Sequence, residues 1–148
     1  MQGVIRFAVF VLVPLIYSCS FSSNGERIFF TATSKNGLIT IKQGAPVMKM
    51  ALKGCANCHG RDGKGGHALD ATGMKGSDIR YKTLVLKYGG YLSYMEGKGD
   101  KISGGVDTLI KRAITEGEGQ GYKLNIAMPR WAMSDEDLGD VIEYLKTL

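Results

Sequence analysis

Two stretches in the second half of the chain repeat apolar residues at helical spacing. Val106, Leu109, Ile110, Ala113 and Ile114 form one stripe, which predicts an amphipathic helix that Gly117 brings to an end. Leu138, Val141, Ile142 and Leu145 form a second stripe near the C-terminus. Ser134 is a good N-cap for that second helix, with Asp137 three residues on, in the capping-box position. Asp135, Glu136 and Asp137 place negative charge at the positive end of its dipole. Residues 81–95 mix Leu and Val with Tyr81, Tyr88, Tyr91 and Tyr94, and read as a helix broken at Gly89-Gly90. Residues 48–52 are a short helical candidate leading into Cys55. Residues 60–76, 97–105 and 117–125 read as glycine-rich loops.

The N-terminal part is patterned differently. Arg6 is the only charge before a continuous apolar run over residues 7–16. That run is short for a membrane span and has the length of a signal-peptide core. It ends at Ile16-Tyr17-Ser18-Cys19, which is similar to the lipobox of bacterial lipoproteins despite the bulk of Tyr17. Residues 1–18 are therefore expected to leave as a signal peptide, with Cys19 carrying lipid and residues 19–25 serving as a polar tether. An ordinary signal peptide cut nearby and an uncleaved anchor are the alternatives; all three deliver the domain, residues 26–148, across the inner membrane. Within it, Asn36-Gly37 lies between residues 27–33 and 38–42, both rich in Ile, Phe, Leu and Thr, which is a β-hairpin signal. Residues 26–30 also suit a helix, and propensity does not choose between the two.

Composition changes this picture little. A chain of 148 residues suffices for one domain with one core. The 21 glycines point to loops and close backbone approaches. A net charge of +5 without a long basic run argues against a nucleic-acid partner. A basic face for an acidic redox protein fits better; Lys75, Lys82, Lys87, Lys98 and Lys101 are its candidates, with an ordinary solvated surface as the plainer reading of them.

The chemistry is concentrated in Cys55-Ala56-Asn57-Cys58-His59, the attachment motif of c-type haem. Thiols two residues apart can reach the two vinyl groups of one haem, and the adjoining histidine can supply Nε2 to the iron. A redox dithiol or half of a zinc site are the other readings of the cysteine pair. Zinc would want further ligands, for which only His67 and Cys19 remain. For a sixth iron ligand, Met128-Pro129-Arg130-Trp131 follows a loop and precedes the capped helix. A thioether there suits electron transfer, since methionine raises the potential. Methionines also fill gaps in cores; Met133, Met74 and Met95 are the rival sulfurs and His67 the rival imidazole. Arg130 and Trp131 either reach a haem propionate or, more plainly, give a solvated guanidinium and a packed indole.

These motifs carry a resemblance. From about Met48 to Leu148 the chain resembles class I cytochromes c, the mitochondrial-type and small bacterial proteins. Its marks are Cys55-Ala56-Asn57-Cys58-His59-Gly60, Asp62-Gly63-Lys64-Gly65-Gly66, Leu109 with Arg112-Ala113-Ile114 and Gly117, and Met128-Pro129 followed by Ser134 to Leu138, Tyr144-Leu145 and Leu148. The resemblance implies an all-α domain around one covalent haem, to which the sequence pattern adds a short β-hairpin near the N-terminus. It implies haem held by Cys55 and Cys58, iron ligated by His59 and Met128, and a terminal helix packed through Leu138, Val141 and Leu145 against the first helix. The chain departs from the family twice. Residues 31–47 form an extra segment after the start of the first helix. No proline lies between His59 and Pro129, so another backbone carbonyl must orient Nδ1 of His59, or the ring is held less firmly.

The expected function is outer-sphere transfer of single electrons in the periplasm or at a membrane surface, by a carrier rather than an enzyme. Its partners would be redox proteins or a membrane respiratory complex. A permanent subunit of a larger oxidoreductase, with residues 31–47 as interface, is one alternative. A haem enzyme or gas sensor with a labile sixth ligand is another, and His67 is its one candidate distal base.

Overall fold

A computed structural model describes residues 20–45, 54–66, 74–99 and 103–148. The leader with Cys19, the helical candidate at 48–52, His67 and Lys101 lie outside them. Among the described residues the order is α1 (Asn24–Thr31), β1 (Thr40–Gln43), α2 (Ala56–His59), α3 (Tyr81–Gly97), α4 (Gly105–Thr115), β2 (Arg130–Ala132) and α5 (Asp135–Lys146). The domain is mostly helical, with one two-stranded antiparallel sheet. No helix among the described residues is long and apolar enough to cross a membrane.

The expected hairpin at Asn36-Gly37 does not form. The run before it is helix α1, capped by Ser23 Oγ accepting from Glu26 N at 3.0 Å and ended at Ala32, whose φ is 54°. Ile28, Phe29 and Ala32 fall on one face and are buried, so the helical period prevails over the β-propensity of the run. Asn36 is used differently. Its Nδ2 donates to Asp137 Oδ1 at 3.2 Å and to Asp140 Oδ2 at 3.4 Å, which ties the loop down onto α5. The run after Asn36-Gly37 does become a strand, but β1 pairs with the distant β2. Thr40 faces Ala132, Ile41 faces Trp131 and Gln43 faces Arg130, with an irregularity between Ile41 and Gln43.

Helix α1 crosses α5 at very close range. Gly25 sits against the Asp140 carbonyl, and the Phe29 and Tyr144 rings meet at 5.1 Å. A polar cluster seals one end of this crossing. Asn24 Nδ2 donates to Asp137 Oδ1 at 3.0 Å and to Asp140 Oδ2 at 2.8 Å, and Ser34 Oγ donates to Asp137 Oδ1 at 2.5 Å. Asn24 and Asp137 are buried, and their mutual bonds offset the cost of removing them from water. Burial pushes the Asp137 carboxyl up, but hydrogen bonds from Ser34, Asn24, Ser134 and Asn36 outweigh it and hold the group below the usual carboxylate range. Ser134 caps α5 as expected, accepting from Asp137 N at 3.1 Å. Polar and ring contacts to α1 run through Asp137, Asp140 and Tyr144, while Val141 and Leu145 share one buried cluster with Ile28 and Phe29 of α1 and also line the interior cavity described below.

Helix α3 runs unbroken through Gly89-Gly90. Leu84 and Tyr88 before the pair are buried, and Tyr91 and Leu92 after it pack on the same core. That anchoring on both sides outweighs a propensity cost of roughly 1 kcal/mol per glycine. The stripe of α4 is seated as expected: Leu109, Ile110 and Ala113 are buried, and Val106 and Ile114 pack beside them.

Candidate functional site

The Cys55–His59 segment is placed by close backbone packing. Gly54 lies directly on the last turn of α1, where a side chain would run into the backbone of Phe29 and Phe30. One helical turn follows, with His59 N donating to Cys55 O at 2.9 Å and Cys58 N to the same oxygen at 3.2 Å. Spacing of three on a turn puts Cys55 and Cys58 on one side, and both line an interior cavity together with His59.

The glycine-rich loop after the motif sets the histidine ring. Gly60, Gly63, Gly65 and Gly66 all have positive φ, so the chain curls back tightly. Gly65 N donates to His59 O at 2.7 Å, Gly66 N to Gly76 O at 2.9 Å and Ile79 N to Gly63 O at 2.8 Å. Gly76 in turn packs against the Cys58 carbonyl, leaving no space for a Cβ. These contacts bring the Ser77 carbonyl to 2.7 Å from Nδ1 of His59. It is the substitute carbonyl that the missing proline requires. A carbonyl only accepts, so Nδ1 carries the proton and Nε2 keeps its lone pair. Burial lowers the pKa of His59, partly countered by the bond to Ser77, and so favours the neutral ring. Burial pushes the Cys55 thiol up to about 11. A redox dithiol needs a low-pKa thiolate, so this environment does not suit that alternative.

The cavity measures about 310 Å³. Leu84 and Tyr88 from α3, Ile110, Ala113 and Ile114 from α4, and Val141 and Leu145 from α5 make its walls apolar. Trp131 lines it too and is buried, as the plainer reading of the indole had it. Met128 reaches it on a loop turned by Met128 N donating to Asn125 O at 3.0 Å and Ala127 N to Asn125 Oδ1 at 2.9 Å. Met74 and Met133 also line the cavity, whereas Met95 does not. Lys75 and Lys87 stand at its rim and are exposed.

Arg130 corrects an expectation. Its guanidinium is not solvated; the residue is 6% exposed and bonds to backbone carbonyls of the Met128 loop. Nothing in residue type announced this, because every residue offers a carbonyl. The same holds for Ser77, which contributes only its backbone.

An apolar cavity carrying two thiols, a neutral imidazole with Nε2 available and thioether sulfurs fits a covalently held haem. In comparison with protein families, the model described as Cytochrome c matches residues 41–148. Comparisons with curated proteins and with solved structures found no match. The family match spans most of the chain and includes both the cysteine turn and the methionine loop. On that ground this chain belongs to the cytochrome c family, whose members transfer electrons with covalently bound haem c.

Proposed function

We propose that the chain is a single-electron carrier that holds one haem c through thioethers to Cys55 and Cys58, with His59 and Met128 as axial ligands of the iron. The supporting observation is that the Cys55–His59 turn and the Met128 loop, far apart in sequence, converge on one apolar cavity. Haem, when bound, supplies the reversible ferric–ferrous couple. The residues around it do the rest. Ser77 O accepts the Nδ1 proton of His59 and fixes the ring, leaving Nε2 for the metal. Met128 is favoured over Met74 and Met133 because its loop is tied in place on both sides, by Asn125 and by Arg130. The apolar walls keep water from the metal, which raises the potential. The protein forms no bond in a substrate, so we read it as a carrier and not as an enzyme in its own right.

Cytochrome c domains are generally exported. The apolar leader and Cys19 support a lipoprotein anchored by lipid on Cys19, with its domain in the periplasm at a membrane surface. Its partners are redox proteins that approach the cavity rim beside Lys75 and Lys87. A second reading has residues 31–47, which include the exposed Leu38, seat the domain permanently in a larger respiratory or dehydrogenase complex. A pull-down from detergent-solubilised membranes separates the two, since recovery as a lone monomer would exclude the permanent subunit.

The test of the main reading is the absorption spectrum of reduced holoprotein before and after carbon monoxide. No change is the expected result, with both axial positions filled. Rapid CO binding would overturn His59/Met128 ligation and favour an open, ligand-binding site.

A further inference from the structure

Arg130 is an expensive residue for its position. It is buried, and among the described residues no carboxylate pairs with it. Removing a guanidinium from water without a counter-charge costs several kcal/mol, so packing alone would favour an apolar side chain. The planar fork does what an apolar group cannot. Its Nη2 donates to the Leu124 carbonyl at 2.7 Å, and its Nη1 donates to the Asn125 carbonyl at 3.3 Å and to the Met128 carbonyl. Three carbonyls of one short loop thus converge on one cation, and the last belongs to Met128 itself.

The surroundings make room for that guanidinium, although its buried Nε finds no acceptor among the described residues. Gly117, at φ 67°, lies on Nε, and any side chain there would overlap the guanidinium. The loop closes behind it through Leu124 N donating to Gly117 O at 2.7 Å. The backbone of Arg130 is braced in turn by β1, where Gln43 is its strand partner. Next to that pairing, Gly44 packs on Pro129, so that an added Cβ would lie 3.1 Å from the proline Cβ. The brace therefore comes from Gln43 and Gly44, which lie within the residues matched by the family model.

We propose that Arg130, braced by β1, is a positioning residue that holds the Met128 thioether at the iron. The inference rests on Met128 being the sixth ligand. It is tested on purified holoprotein by three readouts: the long-wavelength charge-transfer band of sulfur-ligated ferric haem, the rate of CO binding to the ferrous form, and the reduction potential. In Arg130→Gln the band weakens, the potential falls, and CO binds faster by roughly 10–100-fold, the scale on which outer-sphere partners of a metal ligand act. Arg130→Lys keeps the charge but cannot bridge three carbonyls, and gives intermediate values. It carries the comparison alone if Arg130→Gln does not accumulate. A folded Arg130→Gln or Arg130→Lys protein with band, CO rate and potential all unchanged overturns the proposal. Met128→Ala, measured alongside, separates the two layers. If it keeps the band, the ligand assignment itself is wrong. If it loses the band while Arg130→Gln keeps it, only the positioning role falls.

Discussion

Replacing Gly25 by alanine sets helix propensity against packing, and the two predict opposite signs. Propensity favours alanine by up to about 1 kcal/mol in a helix interior, and by less in the first turn, where Gly25 sits. Packing opposes it. An added Cβ would lie 2.5 Å from the carbonyl carbon of Asp140, closer still to its oxygen, and 3.0 Å from Cβ of Tyr144. Backbone cannot yield as a flexible side chain does, so α1 and α5 must move apart. Overpacking of this kind costs about 1–3 kcal/mol. The neighbouring bonds from Asn24 to Asp137 at 3.0 Å and Asp140 at 2.8 Å would stretch with it. Each hydrogen bond to a charged acceptor contributes about 1.5–3 kcal/mol. With partial loss of these and a small propensity gain, Gly25→Ala should destabilise the holoprotein by ~2–4 kcal/mol. Urea unfolding followed by far-UV circular dichroism reads this as a lower midpoint at unchanged slope. A midpoint equal to or above the parent's would refute the reasoning, because propensity would then have prevailed and the two helices could not be in such close contact.

Other substitutions follow from the same packing. Gly90→Ala places its Cβ in open space on a helix that is continuous through that position, so it should stabilise by up to ~1 kcal/mol; a lower urea midpoint would show that α3 is not helical there. Gly76→Ala drives a side chain into the Cys58 carbonyl and moves Ser77 off His59, so holoprotein yield on co-expression with haem-maturation machinery should fall several-fold; an unchanged yield would show that the Gly76 contact does not place the motif. The Asp137 carboxyl has a folded-state value below its unfolded one, so its contribution to stability is complete above the unfolded value, near pH 4, and is lost as pH falls through the folded value. Asp137→Asn should therefore lower stability at neutral pH and flatten its decline below about pH 4, measured as urea midpoints across that range. A decline as steep as the parent's would mean that other carboxyls carry the acid sensitivity.

The parts legible in the sequence are those whose cause lies within a few residues. The stripes of α4 and α5, the Ser134 cap and the Cys55–His59 turn all act over one to seven positions, so their spacing carries the physics. The absence of a proline after His59 left open a substitute carbonyl or a loosely held ring, and the fold supplies the carbonyl of Ser77. What could not be read depends on partners far along the chain. Residues 38–42 have strand character, but β-propensity does not name a partner, and the local Asn-Gly signal pointed to the wrong one. Gly89-Gly90 reads as a break until the core contacts on both sides are known.

The sequence by itself thus determined the chemistry of this protein: a cysteine pair and a histidine at haem-binding spacing, a methionine before a capped helix, and the amphipathic helices around them. Tertiary structure alone decided which backbone groups meet the side chains of the site. Ser77 acts through its carbonyl, and Arg130 acts on the carbonyls of Leu124, Asn125 and Met128. Backbone groups are the same at every residue, so their selection is made by the path of the chain and leaves no mark in the pattern of side chains.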